Sequence, residues 1–153
     1  MTISRSRPRP DMMIRDPDGY PVAVVEMKNL PNLSRDLATQ IRHNLLEYGV
    51  PIRTPYFLLL SQDVGFLWKD AKPMDLDVPP TYVFPMNNVV DRYLKGGSEE
   101  RLYRSIFELI VFQWLNDLAI DPGNEHEEPE KTLALAGFSE SIKDATILTE
   151  QNI

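Results

Sequence analysis

RPDMMIRDPDGYPVAVVEMKN, residues 9–29, decides the fold. Met12–Arg15 reads as a strand, Asp16-Pro17-Asp18-Gly19 as a tight turn and Pro21–Met27 as a second strand, which together make an antiparallel hairpin. The second strand is apolar on both faces through Val25, the pattern of a central strand covered on both sides. It nevertheless ends in Glu26 and Lys28. Residues two apart on a strand share a face, so Val24, Glu26 and Lys28 project together. The hairpin also brings Asp11, at the start of the first strand, beside the end of the second. The expectation is two carboxylates and one ammonium converging at one edge of a sheet.

Outward from the hairpin, Ser34 caps a helix with Asp36 in its first turn. Leu37, Ile41, Leu45 and Tyr48 are expected as its core stripe, and Gly49 and Pro51 as its end. Tyr56–Leu60 and Gly65–Lys69 read as two further strands joined by a polar turn. Strand, strand, helix, strand, strand is an α/β order with a mixed central sheet, the helix carrying the crossover between parallel strands. Residues 71–88 contain four prolines and read as a surface loop. A long helix is expected from Ser98 to Ala119, apolar almost all round and buried against the sheet. Residues 121–130 contain five acids and no base and are expected as a solvated loop. The tail from Lys131 reads as a short helix through Phe138 and a strand at Ala145–Thr149. The division is a core over residues 1–72 and a proline-rich linker, buried helix and C-terminal helical extension over 73–153, packing as one domain.

Composition narrows the chemistry. Apolar residues make up 42% and charged residues 25% of 153 residues, ordinary for a globular chain that buries a real core. There is no cysteine, which excludes disulfides, thiolate zinc sites and cysteine nucleophiles. With only His43 and His126, any metal is expected to be a hard cation on carboxylates and carbonyls. No apolar run approaches the ~18 residues of a membrane span, and a cytoplasmic location is the default expectation. The net charge of −7 is uneven. Residues 1–60 carry eight Lys/Arg against six Asp/Glu, whereas residues 61–153 carry eight against seventeen, so an anionic partner is expected at the first part of the chain.

Two carboxylates a few Å apart repel one another, and a divalent cation with open positions relieves the repulsion. A metal so held polarises a phosphoryl oxygen and acidifies a bound water, while a neighbouring lysine positions that water and offsets charge on phosphorus. These are the parts that phosphodiester hydrolysis needs.

Pro10-Asp11, fourteen residues, then Glu26-Met27-Lys28 resembles the PD-(D/E)XK nuclease superfamily, with its restriction-endonuclease-like fold. The nearest flavour is the amino-terminal nuclease domain of type I restriction motor subunits. The resemblance runs through Gln40 and the strand pair YFLLLSQDVGFLWKD, covering about residues 9–70. It implies Asp11, Glu26 and the Met27 backbone carbonyl as ligands of Mg²⁺ or Mn²⁺ and Lys28 as the catalytic lysine. It also implies that Gln40 supports the site or touches DNA. Many members have an earlier helix that supplies a further glutamate. Ten residues with two prolines precede Asp11 here, so a later element is expected to fill that role. Glu108, the sole acid of IFELIVFQWL, is the candidate further ligand; the plainer alternative is an i,i+4 pair with Arg104.

Arg9, with Arg5 and Arg7, can follow a phosphate backbone or enter a minor groove, or be an uncommitted basic tail. Arg42 and His43 can reach phosphates or stand on a solvated helix face. Trp68 and Trp114 read as core. Asp11, Glu26 and Lys28 also have a plain reading, an ion pair at a sheet end. Two functions follow. One is a Mg²⁺-dependent DNA endonuclease, helped by a homodimer partner or another protein because sixteen basic residues against twenty-three acids make a poor DNA surface. The other is a catalytically silent interaction or assembly module.

Overall fold

The computed structural model describes residues 8–94 and 101–153. Among these, six strands form one mixed sheet in the order β5-β4-β3-β2-β1-β6, flanked by helices. β1 is Met12–Arg15, β2 Pro21–Met27, β3 Tyr56–Leu60, β4 Val64–Lys69, β5 Tyr82–Pro85 and β6 Thr146–Thr149. The helices are α1 (Arg35–Tyr48), α2 (Asn87–Tyr93), α3 (Arg104–Ile120), α4 (Glu130–Leu135) and α5 (Phe138–Ser141). No helix among the described residues is long and apolar enough to cross a membrane.

The hairpin forms as its sequence requires. Asp16 Oδ1 accepts the Asp18 and Tyr20 amides at 3.0 and 2.9 Å, and Gly19 takes φ +89°, a conformation that suits glycine. β1 and β2 pair antiparallel with Met12 opposite Val25, so Asp11 and Glu26 face one another at the open end. β2 then pairs parallel with β3 across the α1 crossover. Strand alternation divides the apolar residues between two cores. Met12, Ile14, Val25, Met27 and Leu58 pack toward Phe107, Trp114 and Phe138 on one side; Met13, Val24, Phe57, Leu59 and Trp68 pack toward Ala38, Val50 and Ile52 on the α1 side.

Several expectations are corrected. The segment 71–88 is not all loop: it contains β5 and the start of α2. β5 is seated where Phe84 lies across Gly65, a position at which a Cβ would stand 2.1 Å from the ring. The long helix begins at Arg104, because Tyr103 before it is extended; its expected start at Ser98 lies outside the described residues. Nor is it apolar all round in use. Phe107, Val111, Trp114 and Leu115 are buried, whereas Tyr103, Ile106, Leu109 and Ile120 are exposed. In the acidic loop Glu130 is buried, taking two hydrogen bonds of 2.8 Å from Arg92 and one of 3.0 Å from the Trp114 indole. The stretch from Lys131 gives two short helices, α4 and α5, where one was expected.

The expected stripe of α1 is rotated. Ala38 and Arg42 are its buried residues, while Leu37 and Tyr48 are exposed and Ile41 and Leu45 half-buried. The cause is Arg42. Its guanidinium donates to the Asp75 and Lys72 carbonyls at 2.7 and 3.2 Å and lies 5.9 Å from the centre of the Trp68 ring, which draws this face of the helix inward.

Candidate metal and nucleic-acid site

The parallel pair β2–β3 ends at the sheet edge where the hairpin opens. That edge is closed over by the segment entering α3. Asn29 Nδ2 donates to the Leu102 carbonyl at 2.8 Å, and Gln62 both donates to that carbonyl and accepts from the Leu102 amide at 3.2 Å. Asn29 and Gln62 are also bonded to each other. This clamp fixes the backbone two residues before Arg104 and so places the start of α3 beside Asp11.

Asp11 and Glu26 are brought together. Glu26 Oε1 accepts the Asp11 amide at 3.2 Å, and Asp11 Oδ2 accepts the Met27 amide at 2.8 Å. Glu26 is only 5% exposed. Burial, then the charge of Asp11 and a hydrogen bond between the two carboxyls, push its pKa up to about 9, against the lowering effects of the Asp11 amide and Lys28. The main cause is the loss of water around Glu26, and the neighbouring Asp11 adds to it.

Lys28 is close enough to Glu26 to act on its charge, but its side chain opens onto a different cleft, of about 320 Å³, with Ile41, Asn44, Leu45 and Tyr48 of α1. Gln40 is exposed and donates to Asn44 at 2.9 Å, one turn from that cleft.

Glu108 makes the plainer of its two expected contacts. Arg104 Nε donates to Glu108 Oε1 at 2.7 Å, the i,i+4 pair, and Glu108 also lines a cleft of about 440 Å³ with Asp11, Met27 and Ser105. The link between the two is Arg104, whose Nη2 donates to Asp11 Oδ1 at 3.0 Å. No local pattern flagged Arg104 beyond its pairing with Glu108, because its second partner lies 93 residues away. As folded, no three His, Asp or Glu side chains among the described residues stand together as a ready metal cage. Asp11 and Glu26 are a pair, and Glu108 joins them through a guanidinium.

Among the expected nucleic-acid contacts, Arg9 is exposed at the rim, within 3.4 Å of the carbonyl of Glu150, itself a lining residue of the larger cleft. Arg5 and Arg7 lie outside the described residues. Arg42 is fully buried with its guanidinium spent on backbone carbonyls, so the phosphate-contact reading of Arg42 is corrected to a structural one. His43 stands between Asp77 at 2.7 Å and Glu47 at 2.9 Å.

No protein-family model, no curated protein and no solved structure matches this chain.

Proposed function

We propose that this chain is a divalent-metal-dependent nuclease of restriction-endonuclease-like fold, with Asp11, Glu26 and the Met27 carbonyl as the metal ligands and Lys28 as the catalytic lysine. The observation that carries the reading is the Asp11–Glu26 pair, two acids opposed at the open end of a hairpin, with Glu26 pushed up to about 9 by burial and by its neighbour. The donor set fits a hard cation, being wholly oxygen, with Glu26 giving up its proton to the incoming ion. When bound, Mg²⁺ or Mn²⁺ would supply Lewis-acid polarisation of a phosphoryl oxygen and an acidified water. Asp11 and, once deprotonated, Glu26 would hold the ion at the strand ends. Lys28 sets a positive charge on the strand face of Glu26, and Gln40 and Asn44 continue a polar row along α1. The cleft shared by Asp11, Glu108 and Ser105 gives a phosphate group access from solvent. The acidic surface implies help with DNA affinity from a second copy or another protein.

A second reading, a silent interaction module, draws on two observations. Lys28 opens onto the α1 cleft rather than the one containing Asp11, and both Asp11 oxygens already accept hydrogen bonds. The test is incubation with plasmid, linear DNA and RNA in Mg²⁺ or Mn²⁺, beside Lys28→Ala. Cleavage by the natural chain that disappears in the variant supports the nuclease. Equal cleavage by both assigns it elsewhere, and no cleavage with any metal favours the module.

A further inference from the structure

We propose that Arg104 is a displaceable counter-cation: its guanidinium stands in for a divalent ion between Asp11 and Glu108 and must release Asp11 before metal binds. This rests on the metal-site reading above and adds a regulation to it.

The geometry of Asp11 carries the argument. Its Oδ2 is committed to the Met27 amide by strand pairing, 2.8 Å away. Its Oδ1, the oxygen facing α3, is taken by Arg104 Nη2 at 3.0 Å. The same guanidinium holds Glu108 Oε1 through Nε at 2.7 Å. One planar cation that does not deprotonate therefore spans an acid from the start of β1 and an acid from α3. It is also built to leave. The Arg104 side chain is 50% exposed and that of Glu108 38%, so their ion pair is weakened by solvent, whereas Asp11 is 12% exposed and keeps its place. The backbone does not need to follow, because Asn29 and Gln62 clamp Leu102. Rotation about the side-chain bonds of Arg104 alone opens Asp11 Oδ1 to the cleft that already contains Glu108 and Ser105. A guanidinium and a divalent ion held on that same oxygen repel one another at close range, so the two compete by mass action.

The test is calorimetric titration of the full chain with Mg²⁺ and with Mn²⁺, comparing the natural protein, Arg104→Gln and Arg101→Gln. Arg101 lies in the same segment and 4.0 Å from Asp63, so its variant removes an equal charge without touching Asp11. Arg104→Gln is expected to bind metal about tenfold more tightly, with Arg101→Gln close to the natural chain. Equal or weaker binding by Arg104→Gln overturns the competition while leaving the metal site intact. Absence of binding in all three proteins removes the metal site and the competition together. A second measurement needs no variant: the Arg104 Nε–H resonance is expected to shift and exchange faster as Mg²⁺ saturates the natural protein. A resonance that stays unchanged while metal binds overturns the proposal.

Discussion

Arg42 and Arg104 place the same side chain in two opposite settings. Arg42 is fully buried, bonded to the neutral carbonyls of Lys72 and Asp75 and stacked near Trp68. Arg104 is half-exposed and bonded to two carboxylates. The intuitive ranking, that the arginine with charged partners matters more to the fold, is reversed by solvent. Carboxylates near water give up little when an exposed cation leaves. Arg42 itself is inside, so its loss empties the space beside Trp68 and cuts both bonds that tie α1 to the 72–78 loop. Burial also lowers the Arg42 pKa, with Asp75 opposing, and leaves its Nε unbonded, so this region carries a fixed cost for holding α1 to the 72–78 loop.

The strongest way to break this contrast is mutation of both residues. Arg42→Ala is expected to destabilise the fold by about 2–5 kcal/mol, through the cavity beside Trp68 and the loss of both bonds to the 72–78 loop. Arg104→Gln is expected to stay within about 1 kcal/mol of the natural chain. Denaturant midpoints at fixed pH check both. Equal losses would mean that Arg104 is structural after all.

Glu26 sharpens the comparison from the acid side. Its folded pKa stands near 9 against an ordinary 4.5, chiefly from burial and then from Asp11. Between those values the folded chain keeps a proton that the unfolded chain has lost, so unfolding releases a proton and stability falls as pH rises through this window. Glu26→Gln removes the penalty. At pH 8 the variant is expected to be more stable than the natural chain by on the order of 2–4 kcal/mol, and near parity at pH 4. Urea titrations at the two pH values decide it. A gap that does not widen with pH would show that Glu26 does not hold its proton.

Which parts were readable from residues alone follows the range of the forces involved. The β1–β2 hairpin, the Ser34 cap of α1 and the parallel step to β3 rest on neighbours in sequence, and their bounds were legible. So was the Asp11–Glu26 juxtaposition, since turn chemistry and strand alternation place it. What was hidden depends on contacts across the chain. β5 looks like loop because its prolines mask a strand that exists by pairing with β4. Apolar periodicity points Leu37 and Tyr48 inward, whereas a buried guanidinium bonded 30 and 33 residues away turns the helix. Local spacing pairs Arg104 with Glu108 alone, and its bond to Asp11 spans nearly two-thirds of the chain. Lys28 shows the limit of alternation itself: the strand places it on the face of Glu26, and the direction in which its flexible end extends is decided by the groove of α1.

The smallest expected effect lies next to Arg42 in sequence, where His43 holds the same loop from the solvent side. Its ring bonds Asp77 through Nδ1 at 2.7 Å and Glu47 through Nε2 at 2.9 Å. Those two hydrogen bonds, Asp77 first, raise its pKa above the ordinary 6.5. The folded chain thus binds this proton more tightly than the unfolded chain. The stabilisation is fully present below pH 6.5 and is lost as pH rises through the raised folded value. His43→Gln is therefore expected to cost more stability at pH 5.5 than at pH 8.5, and Asp77→Asn to move the imidazole titration back toward 6.5, both read by nuclear magnetic resonance and denaturant midpoints. A gap independent of pH would mean that His43 acts through packing, as Arg42 does. A gap confined to low pH would show that on this one turn of helix an inner arginine holds the loop at every pH, while an outer histidine adds a grip that alkaline water takes away.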